Sequence, residues 1–294
     1  MLRSLYSGVT GMKNFQTKLD VIGNNIANVN TYGFKKGRAT FSDLISQTTA
    51  GATTPSATTG GMNPKQVGLG SQVASIDTIA TQGSMQTTGR TLDLSLSGEG
   101  YFVLTAPGST TQLYTRSGNF YLDANKNIVN SNGLMLQVAG GISSENADGS
   151  VVKEPDTVIG GTMIPSGAQS FSIGSNGIIT YIDQNGETQQ AGRILLAKVA
   201  NPEGLTKVGA NMFQESANSG SLSGENDPAN QYNGLVFSGE DGTGSINSGY
   251  LEMSNVDLTD EFTEMIVGQR GFQSNSKIIT TSDEILQELL NLKR

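Results

Sequence analysis

The two ends of this chain carry apolar residues at the spacing of a helix, and the middle does not. Near the N-terminus they recur every three or four positions, at Leu2, Leu5, Val9, Met12, Phe15, Leu19, Ile22, Ile26 and Val29. Near the C-terminus the spacing is similar, at Leu258, Phe262, Met265, Phe272, Ile279 and Leu286, although polar residues interrupt it. This periodicity predicts an amphipathic helix at each end. Isolated helices are only marginally stable, so each needs a surface to pack against.

The two predicted helices carry opposite charge. Residues 1–40 contain six basic residues and one acidic residue, whereas residues 251–294 contain eight acidic and four basic residues. Opposite charge and the matching apolar stripes favour pairing of helix 1–35 with helix 251–294 as a coiled coil, parallel or antiparallel. The predicted seam comprises Leu5, Val9, Met12, Leu19, Ile22, Ile26, Leu258, Phe262, Met265, Phe272, Ile279 and Leu286. Two ordinary helices packed on a globular core are the alternative interpretation.

Between the ends the apolar period changes from that of a helix to that of a strand. Leu92, Leu94 and Leu96 alternate with polar residues, and glycine supplies 38 of the 294 residues. Asn176-Gly177 and the segment Asn185-Gly186 each separate two apolar runs, which is the pattern of a β-hairpin turn. Residues 76–250 are therefore predicted to form a central antiparallel β-rich domain, which makes the chain α+β.

Three segments are predicted to be linkers or loops. Residues 46–70 are rich in Thr, Gly, Ala and Pro and offer little to bury, so residues 36–75 are predicted to link the first helix to the β-rich domain. Residues 140–161, and residues 216–244, which are rich in Ser, Gly, Asn and acidic residues, are predicted to be long surface loops of that domain.

The composition excludes several classes of function. The chain has no cysteine, histidine or tryptophan, which excludes disulfides, thiolate nucleophiles, His-based acid and base catalysis and His/Cys metal sites. Its net charge of −8 opposes attraction to nucleic acid or to anionic lipid. No apolar run approaches the roughly 18 residues of a membrane span, and the start lacks the apolar core of a secretory signal. We expect neither nucleic-acid binding nor membrane insertion.

The remaining chemical motifs are weak. Asp123, Asn125 and Asn127 resemble the start of a calcium loop, but Ile128 and Leu134 replace the glycine and glutamate that such a loop needs. Acid pairs such as Asp93 and Glu99, or Asp183 and Glu187, are more often solvated than catalytic. A carbohydrate-binding β module and a carboxylate hydrolase are alternatives from other classes. Polymerisation that depends on the chain ends would distinguish a self-assembling subunit from both.

Long stretches of the chain resemble the bacterial flagellar rod and hook protein family. The N-terminal stretch reads SGVTGM from residue 7, LDVIGNNIANVNT from residue 19 and GFKK from residue 33. The C-terminal stretch reads GYLEMSNVDL from residue 249 and DEIL from residue 283. In the middle, GEGYF from residue 98, YTRSGNF from residue 114 and NPEGL from residue 201 are similar to family segments. The family signature falls on Asn24, Asn25, Ala27, Asn28, Asn30, Thr31, Gly33 and Phe34.

This resemblance implies a tubular assembly. The terminal helices would pair into an inner coiled-coil layer, and the β-rich domain would form an outer layer that contacts neighbouring subunits. No catalysis and no cofactor are implied. The implied partners are copies of this chain, the distal rod, hook cap and hook-filament junction proteins, and the flagellar type III export gate. The implied location is extracellular, in the flagellum, and is reached without a cleaved signal peptide.

Hook and distal rod proteins share both terminal signatures. The overall pattern is most similar to the short hook proteins of Gram-positive bacilli, which favours a hook subunit, part of a flexible joint that transmits motor torque to the filament and encloses the export channel. The alternative is a distal rod subunit, part of a stiff drive shaft. Large hook proteins carry an extra outer domain, and only residues 140–161 of this chain leave room for anything comparable.

Phe41 and Ile45 resemble the phenylalanine and downstream apolar residue by which rod and hook subunits dock on the export gate. The alternative interpretation is a short helical turn in which the two side chains, four residues apart, pack on the core.

Overall fold

The structure, a computed structural model, describes residues 2–55, 60–109, 111–145, 151–153, 159–220, 222, 232 and 234–292. The chain divides into two compact units. One, called the helical unit, consists of Met1–Asn28, Lys36–Ile79 and Val256–Arg294. The other, called the β unit, consists of Val29–Lys35 and Ala80–Asn255. Residues 36–75, predicted to be a linker, thus belong to the helical unit, and residues 29–35 belong to the β unit.

Both ends of the chain are helical, as the apolar periodicity predicts. Helix α1 spans Leu2–Ala27 and helix α2 spans Leu258–Leu292. Asp257 caps α2, because its carboxylate accepts a hydrogen bond from the backbone N–H of Thr259 at 2.8 Å. A second hydrogen bond to this carboxylate comes from the backbone of Asp260. The bond from Thr259, followed by the one from Asp260, holds the pKa of the Asp257 carboxyl below its usual value.

A two-stranded ribbon completes the helical unit. Strand β1 (Gly37–Asp43) pairs antiparallel with β4 (Ser71–Thr78), and β2 (Gln47–Ala50) pairs antiparallel with β3 (Lys65–Val67). This finding differs from the linker prediction for residues 46–70. Their Gly and Pro content suggested a loop, whereas their β-branched threonines favour strands. All residues of β2 and β3 are exposed.

The β unit contains nineteen further strands among the described residues. They are β5 (Met85–Thr87), β6 (Leu94–Ser97), β7 (Tyr101–Thr105), β8 (Gln112–Thr115), β9 (Tyr121–Leu122), β10 (Ile128–Val129), β11 (Met135–Leu136), β12 (Val138–Ala139), β13 (Ile142–Glu145), β14 (Val151–Lys153), β15 (Ile159–Gly160), β16 (Ser170–Ile173), β17 (Ile178–Ile182), β18 (Thr188–Ala197), β19 (Thr206–Gly209), β20 (Met212–Gln214), β21 (Val236–Phe237), β22 (Ser245–Ser248) and β23 (Tyr250–Glu252). A 3-10 turn, Pro202–Gly204, precedes β19.

Most of these strands form one large sheet. Its main path runs β15-β12-β18-β7-β11-β10-β9, and the ten-residue strand β18 also pairs with β17 and β21. Strands β6 and β22 form a separate pair, as do β5 and β23. Every pairing between named strands in the described ranges is antiparallel, which confirms the predicted central β region.

Two apolar clusters fill the β unit. The larger includes Leu94, Leu96, Phe102, Phe120, Leu136, Ile179, Ile194 and Leu196, all fully buried or nearly so. The second includes Tyr101, Val103, Tyr114, Leu195, Phe213 and Leu235. Alternate residues of β7 and β18 enter different clusters, since successive side chains of a strand point to opposite faces. Burial of both faces explains why these strands read as continuous apolar runs.

Two predicted turns are present at the expected positions. Gly177 joins β16 to β17 with φ of +79°, and Gly186 joins β17 to β18 with φ of +80°. Glycine suits both, because this region is unfavourable for residues with a Cβ. The predicted loops 140–161 and 216–244 contain strands β13, β14, β15 and β21 in their described parts. Residues 146–150, 154–158, 221, 223–231 and 233 of these loops lie outside the described residues.

Candidate assembly site

Helices α1 and α2 lie side by side and run antiparallel. Glycines mark the points of contact, because a Cβ added to Gly271 would lie 2.5 Å from Cζ of Phe15 and one added to Gly268 would lie 3.1 Å from Cδ2 of Leu19. Lys18 forms an ion pair with Glu264 beside these contacts. Nearer the N-terminus, Gly8 lies against Ile279. Large side chains on one helix therefore pack against glycines on the other.

The predicted seam residues have unequal burial. Ile22 is buried, and seven others are partly buried: Leu5, Met12, Leu19, Ile26, Met265, Ile279 and Leu286. The other four are exposed: Val9, Leu258, Phe262 and Phe272. Apolar periodicity alone could not separate the buried seam residues from the exposed ones. Polar residues such as Glu261 and Ser282 take some of the buried positions in the helical unit, and apolar periodicity does not detect them.

Helix α2 has exposed apolar side chains on both sides of the stripe that faces α1. At 100° per residue, Val267, Ile278 and Ile285 lie on one side of that stripe, whereas Phe262 lies on the other side and Ile266 lies beyond it, towards the back of the helix. Each of these five side chains is between about two fifths and slightly over half exposed. We call these exposed apolar side chains the flanks of α2, and they form the candidate interaction surface of this helix.

Asn25 of the family signature is a buried hydrogen-bonding centre in the helical unit. Its Nδ2 donates to the carbonyl of Gly37 at 2.9 Å and to Oε2 of Glu261 at 3.1 Å. Its Oδ1 accepts from the N–H of Gly37 at 2.9 Å. Lys36 Nζ lies 3.8 Å from the other oxygen of Glu261. One amide thus joins α1 to the start of β1 and to the first turn of α2.

The neighbouring signature residues end α1 and form the following turn. The side-chain amide of Asn28 donates to the carbonyl of Asn24 at 2.9 Å and to its Oδ1 at 3.1 Å. The backbone N–H of Phe34 donates to the carbonyl of Thr31 at 3.3 Å. Ala27 and Asn30 are exposed. These residues shape the chain after the helix and carry no catalytic chemistry.

Gly33 occupies a position that no other residue fits. Its φ is +69°, and an added Cβ would lie 2.5 Å from the backbone N of Ser117. Its own N–H donates to the carbonyl of Glu252 at 2.8 Å. The next residue, Phe34, is buried, and the Nζ of Lys207 lies 5.3 Å from its ring centre. Burial lowers the pKa of Lys207.

Three buried charged residues form a group that we call the charge cluster: Lys35, Arg116 and Glu252. Lys35 Nζ donates to Oε1 of Glu252 at 2.6 Å, and Arg116 donates to Oε2 at 3.3 Å. Lys35 also donates to the carbonyl of Thr81 at 2.8 Å, and Arg116 to that of Gly98 at 2.7 Å. Burial lowers the pKa of Lys35, although the Glu252 carboxylate opposes this.

The charge cluster was not predicted as a functional site. Its three residues are far apart in the sequence and belong to three different family segments. The available signal is the position of Glu252, which directly follows an apolar residue at the end of a short apolar strand. A charge in such a place requires a partner when it is buried.

The described residues do not supply the ligands of a metal centre. They contain no group of three or more carboxylates that could hold a metal ion. A cavity of about 430 Å³ in the helical unit is lined by charged residues of both signs, of which Lys18 pairs with Glu264 and Lys36 with Glu261. Neither described helix has an apolar stretch long enough to cross a membrane.

The export-motif candidates lie on the ribbon. Phe41 is in β1 and is 39% exposed, whereas Ile45 follows the strand and is 87% exposed. The alternative prediction of a helical turn is wrong, because Phe41 lies in strand β1, which pairs with β4. The docking role is untouched by this correction and stays a prediction.

Three protein-family models match the chain. Residues 5–35 match "Flagella basal body rod protein", residues 95–181 match "Flagellar hook protein FlgE/F/G D1 domain", and residues 247–292 match "Flagellar basal body rod FlgEFG protein C-terminal". The first and third cover the two terminal signatures. The second covers the part of the β unit that supplies Arg116.

Full-length relatives carry names of both the rod and the hook. The flagellar basal-body rod protein FlgG of Bacillus subtilis is 56% identical over 294 residues, which is all of both chains. FlgG of Borreliella burgdorferi is 37% identical over 297 residues, also all of both chains. The flagellar hook protein FlgE of Borreliella burgdorferi is 32% identical, again with all of both chains, but over an alignment of 454 residues.

Proposed function

The chain belongs to the flagellar rod and hook protein family, and we propose that within this family it is a distal rod subunit rather than the hook subunit that its sequence pattern favoured. It is a structural protein and not an enzyme. Support for the rod comes from the relative named as a rod protein, which shares 56% of its residues at equal length. Alignment with the hook relative requires 454 positions for the 294 residues of this chain.

Rod and hook subunits assemble into polymers, and the helical unit supplies the surface that we propose for this step. The flanks of α2 are apolar and half exposed at Phe262, Ile266, Val267 and Ile285. Contact with the same helices of neighbouring copies, as an inner coiled-coil layer, would bury them and stabilise the polymer by about 1 kcal/mol for each half-exposed side chain. Antiparallel pairing of α1 with α2 leaves both flanks available.

The experiment that tests the rod assignment locates the subunit in the flagellum. The chain has no cysteine, so a single Asn185→Cys substitution in an exposed turn provides a unique site for a gold label. Hook–basal bodies labelled in this way and imaged by electron microscopy should carry gold on the distal part of the rod, next to the hook. Gold along the curved hook would reverse the assignment, and the absence of label from both would contradict a place in this assembly.

Polymer stiffness provides a second measurement. Tubes assembled from the purified protein should be straight under all conditions of salt and pH at which they form. Curved tubes, or tubes whose curvature changes with the conditions, would favour the hook.

For export, we propose that Phe41 and Ile45 dock on the type III export gate, through which the chain reaches the extracellular flagellum. The support is the exposure of both side chains, which leaves them accessible to a partner. Phe41→Ala should lower secretion severalfold and leave polymerisation of the purified protein unchanged. The control is Ile76→Ala, which removes a 56% exposed side chain from β4 of the same ribbon. Normal secretion of Phe41→Ala would exclude the docking role.

A further inference from the structure

The charge cluster contains one more positive charge than negative charge. The side chains of Lys35, Arg116 and Glu252 are 1%, 6% and 0% exposed. Within the described residues, Glu252 is the only carboxylate that pairs with either cation. Tyr101 faces the cluster with its ring 5.3 Å from the Arg116 guanidinium, and burial raises the pKa of this tyrosine, which keeps it neutral. Glu252 therefore balances two buried cations.

The other polar groups around the cluster do not supply a second anion. Lys207 donates to the backbone carbonyl of Lys35 at 3.2 Å and adds a further cation on that side. Gly83 donates its N–H to Oε1 of Glu252 at 3.0 Å, so this carboxylate oxygen has two donors. In the part of the chain that the structure describes, Nε of Arg116 is buried without a hydrogen-bond partner. The cluster tolerates little loss of negative charge.

The cluster joins the two terminal signatures at one place in the β unit. Lys35 lies eight residues after Ala27, where α1 ends, and Glu252 lies six residues before Leu258, where α2 begins. The backbone contact from Gly33 to the carbonyl of Glu252, at 2.8 Å, holds the same two segments together. Two stretches separated by more than 200 residues are thus bonded to each other, one just after the end of α1 and the other just before the start of α2.

We propose that Glu252 is a positioning residue that closes the two ends of the chain on each other in the single subunit, before any polymer forms, by neutralising Lys35 and Arg116. The closed ends hold α1 and α2 of the same chain near each other, which raises the effective concentration for their pairing. They also remove most of the loop-closure entropy that would otherwise oppose this pairing. Closure is a property of the monomer and goes beyond the proposed rod function.

The test compares three variants by hydrogen exchange of residues 29–35 in the monomer. Glu252→Gln keeps the shape of the side chain but leaves two buried cations, so protection should fall by about 100-fold or more. Lys35→Met leaves the neutral pair of Arg116 and Glu252 and should have a much smaller effect. The double variant, Lys35→Met with Glu252→Gln, buries one cation instead of two. It should recover at least about tenfold of the protection lost in Glu252→Gln.

This recovery distinguishes charge balance from a purely structural role. If Glu252 acted only through hydrogen bonds and packing, the additional loss of Lys35 in the double variant would lower the protection of residues 29–35 further. Raising the pH towards 10 should also restore protection in Glu252→Gln, because Lys35 loses its proton, and should not do so in the double variant. The matched control is Lys36→Met, which removes the adjacent lysine whose ion pair is with Glu261.

Every outcome decides the proposal. A double variant as poorly protected as Glu252→Gln, or worse, overturns it. If Glu252→Gln does not fold, a folded double variant supports the proposal and an unfolded one overturns it. A polymerisation measurement, which rests on the proposed function, should show that Glu252→Gln needs about tenfold more protein to assemble. Failure of the wild type to polymerise would contradict the proposed function and leave the monomer result standing.

Discussion

Gly33 shows how one signature residue follows from backbone geometry. An alanine here would hold an unfavourable positive φ and place its Cβ against the backbone of Arg116 and Ser117, which cannot move as a side chain can. We expect Gly33→Ala to destabilise the β unit by about 3 kcal/mol or more, from left-handed strain and overpacking together. Urea unfolding followed by tyrosine fluorescence measures this change.

Gly89→Ala is the matched control for this prediction. Gly89 has nearly the same φ, +71°, but no atom lies within 4 Å of the position of an added Cβ. The Gly89→Ala variant should therefore lose only the stability that corresponds to left-handed backbone strain, about 1 kcal/mol. Equal losses at the two positions would mean that the close approach to Ser117 does not matter.

At the level of a single helix, Asp257 makes the start of α2 sensitive to acid. Because folding lowers the pKa of this carboxyl, its stabilising effect is present above the unfolded pKa, near 3.8, and is lost as the pH falls through the folded value. Helicity at 222 nm should therefore decrease below about pH 4. Asp257→Asn, which can still cap the helix but does not titrate, should weaken this dependence.

The contact between α1 and α2 depends on glycine at defined positions. Gly271→Leu would push Phe15 out of its place, because even a Cβ at residue 271 lies 2.5 Å from the ring, and should cost about 2 kcal/mol. Gly23→Leu is the control in α1, where no atom lies within 4 Å of an added Cβ. This change should stabilise the helix by up to about 1 kcal/mol. Thermal unfolding at 222 nm should show shifts of opposite sign.

The elements of this fold differ in how far sequence could predict them. Both helices and the turns at Gly177 and Gly186 follow from short-range patterns, namely apolar spacing and turn residues. The strands within residues 46–70 were missed because β2 and β3 bury nothing, and strand prediction rests on alternating burial. Pairing of α1 with α2 could be predicted from charge and spacing, but its glycine contacts could not, since glycine carries no apolar signal.

The charge cluster and Asn25 were beyond sequence reasoning for a different reason. Asn25 could be recognised as part of a family signature, whereas its partners Gly37 and Glu261 are defined only by the fold. The same holds for Glu252, whose two cations come from segments far away along the chain. Single-sequence patterns report local periodicity, and these contacts are long-range.

For the whole molecule, the two units should differ in stability before assembly. Strands β7 and β18 lie in fully buried apolar clusters, whereas α2 keeps many apolar side chains in solvent. Amides of α2 should therefore exchange faster than those of β7 and β18 in the monomer. On polymerisation, α2 should become protected while β7 does not change. Equal protection of α2 and β18 in the monomer would contradict this prediction.

Neither unit is a continuous stretch of chain, and this determines the order in which the protein can fold. The helical unit needs α2, and the β unit needs β23, whose strand partner β5 lies some 160 residues earlier. A chain that emerges from a ribosome or an export channel with its N-terminus first holds Lys35 and Arg116 without their carboxylate until residue 252 appears. Completion of both units therefore waits for the last segment, which supplies the carboxylate of Glu252 and all of α2.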